Sequence, residues 1–232
     1  MADLLTKLNK EIVSCRLCPR LVEYREKVAL EKRAAYANCE YWGKPVTGFG
    51  DPKAQLLIVG LAPAAHGGNR TGRVFTGDSS GTFLMQGLHK FGFANIPDSV
   101  SRDDGLQLTN AYIVAPVKCA PPDNKPSRQE ILNCRPYLIR EIDLLMNLKA
   151  VLVLGKIAMD SYLEVLRSQG HEIPKLVFSH GAEYDLGKGL PCMFVSYHVS
   201  RQNTQTGKLT PQMFAAVVGN ISKYLENAKK IK

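Results

Sequence analysis

Four cysteines stand in a pattern that suits a metal. Cys15 and Cys18 form a C-x2-C pair, and Cys119 and Cys134 follow, separated by fourteen residues. A C-x2-C places two thiolates on one tight turn, as a tetrahedral metal or the edge of a cluster requires. Cys119 lies just after an apolar run and Cys134 inside the next helical pattern. The polar residues between them, 120–126, would let both converge with the first pair. Thiolate count does not separate zinc from iron–sulfur. Cys39 and Cys192 read as free buried cysteines.

The densest polar segment runs from Gly60 to Asp78 and holds four glycines after Gly60, two arginines and an acid. Glycines let backbone approach a ligand closely and present N–H donors to an anion. The segment lacks the order of a P-loop or of a dinucleotide fingerprint. Arg70 and Arg73 could hold phosphate oxygens, and Phe75 could stack on a flat ligand. Asp78 has two readings. It could orient or deprotonate a water, or it could open the helix that begins near Ser80, where the helix dipole favours an anion. A second polar segment carries His198 beside Ser200, Arg201 and Asn203. These hydrogen-bonding types suit a leaving group and a nucleic-acid backbone.

These residues need elements that gather them. Four short apolar runs, Gln55–Leu61, Ala111–Val117, Ala150–Leu154 and Met193–Tyr197, read as buried strands with both faces covered. Helical patterns flank and separate them. Ala2–Val13 carries Leu4, Leu5, Leu8 and Ile12 at helical spacing, and residues 20–36 continue as a second helix. Others open near Ser80, at Ser127 with a capping box to Glu130, near Lys156, and at Thr210-Pro211. The alternation predicts one α/β domain over residues 1–232, a three-layer α/β/α with a central, mainly parallel four-stranded sheet. Ligands bind such sheets beyond the carboxyl ends of the strands. The polar segments at 62–78, 118–125 and 198–207 all follow strands, so one composite site is expected.

The 232 residues carry a formal charge of +9 and a pI near 9.3, which favours a polyanionic partner such as nucleic acid. At 45% hydrophobic the chain can bury a core. It has no apolar run of the ~18 residues a membrane span needs, and its start has no apolar signal region. A cytoplasmic, nucleoid-associated protein without disulfides is expected, a monomer by default. The lysines of the 229–232 tail read as a solvated end.

Together these segments resemble the uracil-DNA glycosylase superfamily, and within it the family 5 type. The resemblance is carried by GLAPAAHGGNRTGRVFTGD (60–78), VKCAPPDNKP (117–126), SYHVSRQNTQTG (196–207) and CRLCPRLVEYRE (15–26), in the family's order over nearly the whole chain. It implies the glycosylase fold and a [4Fe–4S] cluster held by Cys15, Cys18, Cys119 and Cys134. It implies Asp78, Asn124 and His198 as the active-site positions. By the same carry-over, Gly60, Ala62, His66, Asn69, Arg70, Arg73, Phe75, Ser200, Arg201 and Asn203 would meet the base and the DNA. A sliding clamp is a candidate partner.

Two departures from the wider superfamily bear on specificity. The polar residue that other members carry after the first-motif glycine is replaced by Ala62 and Pro63, with Leu61 before them. The asparagine that other members use to read uracil is absent from Val114-Ala115-Pro116-Val117. Both are family 5 features. They imply a broad pocket that accepts uracil, hydroxymethyluracil, ethenocytosine, hypoxanthine and xanthine. No lysine is assigned as a nucleophile, so a monofunctional enzyme that leaves an abasic site is expected. The rival readings are a zinc-bearing nucleic-acid module without catalysis, a hydrolase of free nucleotides, and a strict uracil enzyme of the family 4 type.

Overall fold

The structure is a computed structural model, and it describes residues 2–187 and 189–230. The tail expectation at 229–232 falls partly on residues 231 and 232, outside the described ones. The elements run α1 (Ala2–Val13), α2 (Pro19–Glu31), β1 (Phe49–Gly50), β2 (Leu56–Val59), α3 (Gly68–Thr71), α4 (Ser79–His89) and β3 (Ala111–Val114). They continue with α5 (Arg128–Asp143), β4 (Ala150–Leu154), α6 (Lys156–Ser168), β5 (Glu183–Tyr184), β6 (Cys192–Ser196), α7 (Arg201–Gln205) and α8 (Pro211–Lys230).

The sheet order is β1-β3-β2-β4-β6-β5. The inner four strands are parallel, with Leu57 opposite Tyr112 and Val151, and Leu152 opposite Phe194. These are the four runs expected from the sequence. The sheet nevertheless has six strands rather than four. The additional edges, β1 and β5, are two residues long and antiparallel, too short to leave a period-two signal.

Strand side chains alternate between two cores, as the pleat requires. Leu56, Ile58, Ile113, Leu152 and Phe194 pack under Leu84 and Leu88 of α4 and Phe214, Val218 and Ile221 of α8. Leu57, Val59, Tyr112, Val151, Val153 and Val195 pack under Leu138 of α5 and Met159, Tyr162 and Leu166 of α6. Helices on both faces of a parallel sheet give the three layers.

The helix starts follow their caps. Ser127 Oγ accepts from the Glu130 amide while Glu130 Oε2 accepts from the Ser127 amide, the reciprocal box predicted for α5. Thr210 Oγ1 accepts from the Met213 amide at the start of α8. Because β2, β3 and β6 are parallel, the chain leaving each of them emerges at one edge of the sheet. None of the described helices is long and apolar enough to cross a membrane.

Candidate active site

At that edge lies a cleft of about 1000 Å³. Its floor is Leu61, Ala62, Pro63, Ala64 and Ala65, directly after β2, and none of these side chains carries a polar group. Asp78, Ser80, Phe75, Asn124, His198 and Arg201 stand around it. Three loops that are far apart in sequence therefore meet at one place, as the parallel topology demands.

The capping reading of Asp78 holds, and it occupies one of the two carboxylate oxygens. Oδ1 accepts from the amides of Ser80 (2.9 Å) and Gly81 (3.0 Å) and caps α4. Oδ2 takes no hydrogen bond among the described residues and lies over Gly67. A Cβ built on Gly67 would sit 2.1 Å from that oxygen, so glycine is what lets the carboxylate stand there. Burial raises the Asp78 carboxyl above the usual aspartate range, against the opposing pull of the Gly81 and Ser80 amides and of Arg70.

His198 follows β6 on the opposite side of the cleft. Asn203 Nδ2 donates to its carbonyl oxygen at 2.8 Å, and Ser200 caps α7 by accepting from the Asn203 amide. Burial pushes the imidazole down to about 4, so the ring is neutral at pH 7. Phe75 lies 6.3 Å from it, centroid to centroid. Phe75 has φ +47°, uncommon for a bulky residue. Its ring lies on Gly60, where a Cβ would come within 2.7 Å, and its carbonyl packs against Gly81. Gly60 thus supports the ring without lining the cleft.

His66 also faces the cleft. Its Nδ1 is 3.0 Å from the Tyr41 hydroxyl. Burial, with Arg33 and Arg70 nearby, lowers its pKa. Asn124 sits exposed on the turn Pro122–Asn124, where Asp123 and Asn124 both adopt positive φ, 53° and 55°. Asparagine tolerates that conformation, and the turn brings it to the cleft rim.

Several expected DNA contacts are internal instead. Arg73 is buried; it donates to Asp104 (2.6 Å), Ser99 (3.0 Å) and Thr76 (2.9 Å). Asn69 is fully buried and donates to the Arg25 carbonyl at 3.1 Å. Arg70 donates to the carbonyls of His66 and Gly77 and covers the Tyr36 ring at 4.1 Å. These bonds hold the loop in shape. Ser200 and Asn203 support α7 and the His198 carbonyl, and Ser200 also lines the cleft. The exposed cations of the cleft wall are Arg201 and Arg33. Arg33, Tyr24 and Tyr36 come from α2 and the turn after it; Tyr24 lies in the 15–26 segment, and no motif marks Arg33 or Tyr36.

The four cysteines line one small cavity, with Leu21, Lys118 and Tyr137. Cys18, Cys119 and Cys134 are buried and Cys15 is half-buried. Among the described residues, no three Cys, His, Asp or Glu side chains are arranged as they stand to hold a metal ion. The surroundings nevertheless suit thiolates. Arg25 Nη1 lies 2.9 Å from Cys119 Sγ, and Asn133 Nδ2 lies 3.3 Å from Cys18 Sγ. Burial pushes the free thiols of Cys119 and Cys134 up, to about 11 and about 12. Beneath them Lys118 pairs with fully buried Glu141, whose other oxygen accepts from the Gly48 amide.

The family model described as the uracil DNA glycosylase superfamily matches residues 47–221. A type-5 uracil-DNA glycosylase of Thermus thermophilus is 48% identical over 209 residues, covering 89% of this chain and 92% of that protein. A type-5 uracil-DNA glycosylase of Pyrobaculum aerophilum is 44% identical, covering 89% and 87%. A type-4 uracil-DNA glycosylase of the same archaeon is 29% identical, covering 97% and 99%.

Proposed function

Since the chain belongs to the uracil-DNA glycosylase superfamily, with type-5 relatives along most of its length, we propose that it excises uracil and other deaminated or damaged bases from DNA. It is a hydrolase of N-glycosidic bonds acting in DNA repair. The observation that carries the substrate reading is the cleft itself. An acid with one uncommitted oxygen and a neutral histidine line the same cleft as the Leu61–Ala65 run, which has no polar side chain. No side-chain amide or carboxyl of Leu61–Ala65 is available to read one pyrimidine edge. A floor without such a group does not by itself select uracil over hypoxanthine, xanthine, hydroxymethyluracil or ethenocytosine.

A base inside a duplex must first be extruded, at a cost of a few kcal/mol that is smallest for a mismatch. Arg201 and Arg33 meet the phosphates beside the lesion. Phe75 stacks on the extruded base. As the glycosidic bond breaks, negative charge grows on the base and positive charge on the sugar. His198, being neutral, donates the hydrogen bond of its one N–H to the base carbonyl as charge develops there. Asp78 Oδ2 holds the water that attacks C1′ and faces the cationic sugar. Asn124 contacts the base or that water from the rim. Among the described residues no lysine lines the cleft as a nucleophile, so the product expected is an abasic site in an unbroken strand.

Cys15, Cys18, Cys119 and Cys134 hold a [4Fe–4S] cluster in this reading. The donors aimed at two of the sulfurs and the buried guanidinium beside them fit a set of metal-bound thiolates. The cluster's contribution is structural. It ties the start of α2 to the chain after β3 and to α5, and so to the turn that carries Asn124.

Duplexes carrying one uracil or one hypoxanthine, treated with alkali after incubation, test the reading. Cleavage of both supports it. Cleavage of uracil alone leaves a strict uracil enzyme, strand breaks without alkali contradict the monofunctional mechanism, and no cleavage of either removes the catalytic reading.

Two further results are expected. Gly67→Ala forces the Asp78 carboxylate aside and should slow excision on the order of 10²-fold, since catalytic groups tolerate displacements of only about 1 Å. An unchanged rate would mean that Oδ2 does no chemistry. The pH profile should show an acid limb above the ordinary aspartate value, lost in Asp78→Asn, because activity needs the carboxylate and rises with pH through its raised pKa. It should show no inflection near the ordinary histidine value of ~6.5. His198 is already neutral there. A His198-dependent inflection at that pH would contradict the neutral-donor role.

A further inference from the structure

We propose that Arg25 is a positioning residue of the cysteine centre, balancing its thiolates through the guanidinium and tying it to the cleft through the carbonyl. The inference rests on the cluster reading above. Arg25 is 2% exposed and among the largest fully buried side chains of the protein. Its Nη1 lies 2.9 Å from Cys119 Sγ and its Nη2 lies 3.3 Å from the carbonyl of Cys15. Both contacts are therefore to residues of the metal set.

The charge of Arg25 has no other adequate partner. Its ion pair is to Glu26 at 3.7 Å, and that carboxylate is 44% exposed and engaged by both terminal nitrogens of Arg16. Its Nε is buried without a hydrogen bond. A guanidinium in such surroundings is strongly disfavoured unless an anion stands beside it. A neutral thiol at Cys119 does not supply one. A metal-bound thiolate does.

The same residue reaches the cleft. Its carbonyl accepts from Asn69 Nδ2 at 3.1 Å. Asn69 is fully buried in α3, and its own carbonyl accepts from the Gly43 amide. Two residues before it stands Gly67, under Asp78 Oδ2. One residue thus touches the cysteine centre with its side chain and the support of the acid with its backbone.

The test uses the full chain purified without oxygen, with Arg25→Met and Arg25→Lys. Iron content, the cluster's midpoint potential, its bleaching rate in air and amide exchange at residues 66–72 are measured. Arg25→Met should shift the potential negative, because a lost cation disfavours the more reduced and more anionic cluster. It should bleach ~10-fold faster, as loss of a partner around metal ligands typically does, and exchange at 66–72 should rise. Arg25→Lys keeps the charge without the fork, so it should hold the potential near wild type while bleaching faster. If Arg25→Met does not fold, the lysine variant alone reads out the fork. Normal iron with an unmoved potential and bleaching rate in Arg25→Met, or an unmoved bleaching rate in Arg25→Lys, overturns this inference alone. Zinc in place of iron in the wild-type protein overturns the cluster reading together with it.

Discussion

Asp78→Asn should fold normally and excise uracil on the order of 10³-fold more slowly, within the range that a positioned acid or base contributes. Asparagine is as good an N-cap as aspartate. Its side-chain oxygen can take over the Ser80 and Gly81 amides that Oδ1 now serves. What disappears is the charge at Oδ2, the oxygen facing the cleft. Asp78→Ala removes both functions, so it should lose the same activity and also about 1 kcal/mol of stability. Thermal unfolding beside single-turnover excision separates the two effects. If the asparagine variant keeps most of the wild-type rate, the attacking water is held by another group, and His66 and Asn124 become the residues to test.

The second large effect is expected at Cys119. Cys119→Ser should lose the broad visible absorption of an iron–sulfur centre, most of its iron and much of its stability. Structural metal sites contribute on the order of 10 kcal/mol to folding. Losing a third of that would lower Tm by about 10 °C in a chain of this size. The damage should spread beyond the cysteines. Cys119 packs with Cys18, Leu21, Val117 and Cys134 in a small core of their own, joining the N-terminal helices to the sheet. Excision should fall with the loss of that support. Retained colour and an unchanged Tm would remove Cys119 from the ligand set.

The comparison of sequence with structure divides by range. The inner strands were legible because strands buried on both faces carry unbroken apolar runs, and Leu56–Val59 and Ala150–Leu154 are fully buried along their lengths. The capping box of α5 was legible because its bonds span three residues. Arg73 was misread because its partners, Ser99 and Asp104, lie 26 and 31 residues away. An arginine in a glycine-rich loop looks free until such partners are seen. Asn69 failed for the same reason, its acceptor being 44 residues back. The wall built by Tyr24, Arg33 and Tyr36 has no signature of its own beyond the place of Tyr24 in the 15–26 segment. It exists only because α2 packs beside α3. Asp78 was the opposite case. Local sequence supported two roles, and only atomic positions show that the cap occupies one oxygen and leaves the other without a partner among the described residues.

The conformation of Phe75 has a consequence for how lesions are chosen. A benzyl side chain at positive φ, its ring against Gly60 and its backbone carbonyl against Gly81, surrenders rotational freedom when the chain folds. As the proposed stacking platform Phe75 is therefore preorganised, and little ordering entropy would remain to be lost when a base arrives. A rigid acceptor of this kind would do little to pry bases loose; it would capture those that the duplex releases unaided. Discrimination then begins in the helix. Lesions that pair weakly and open often are sampled most, and a firmly stacked normal base is protected by the rarity of its own escape.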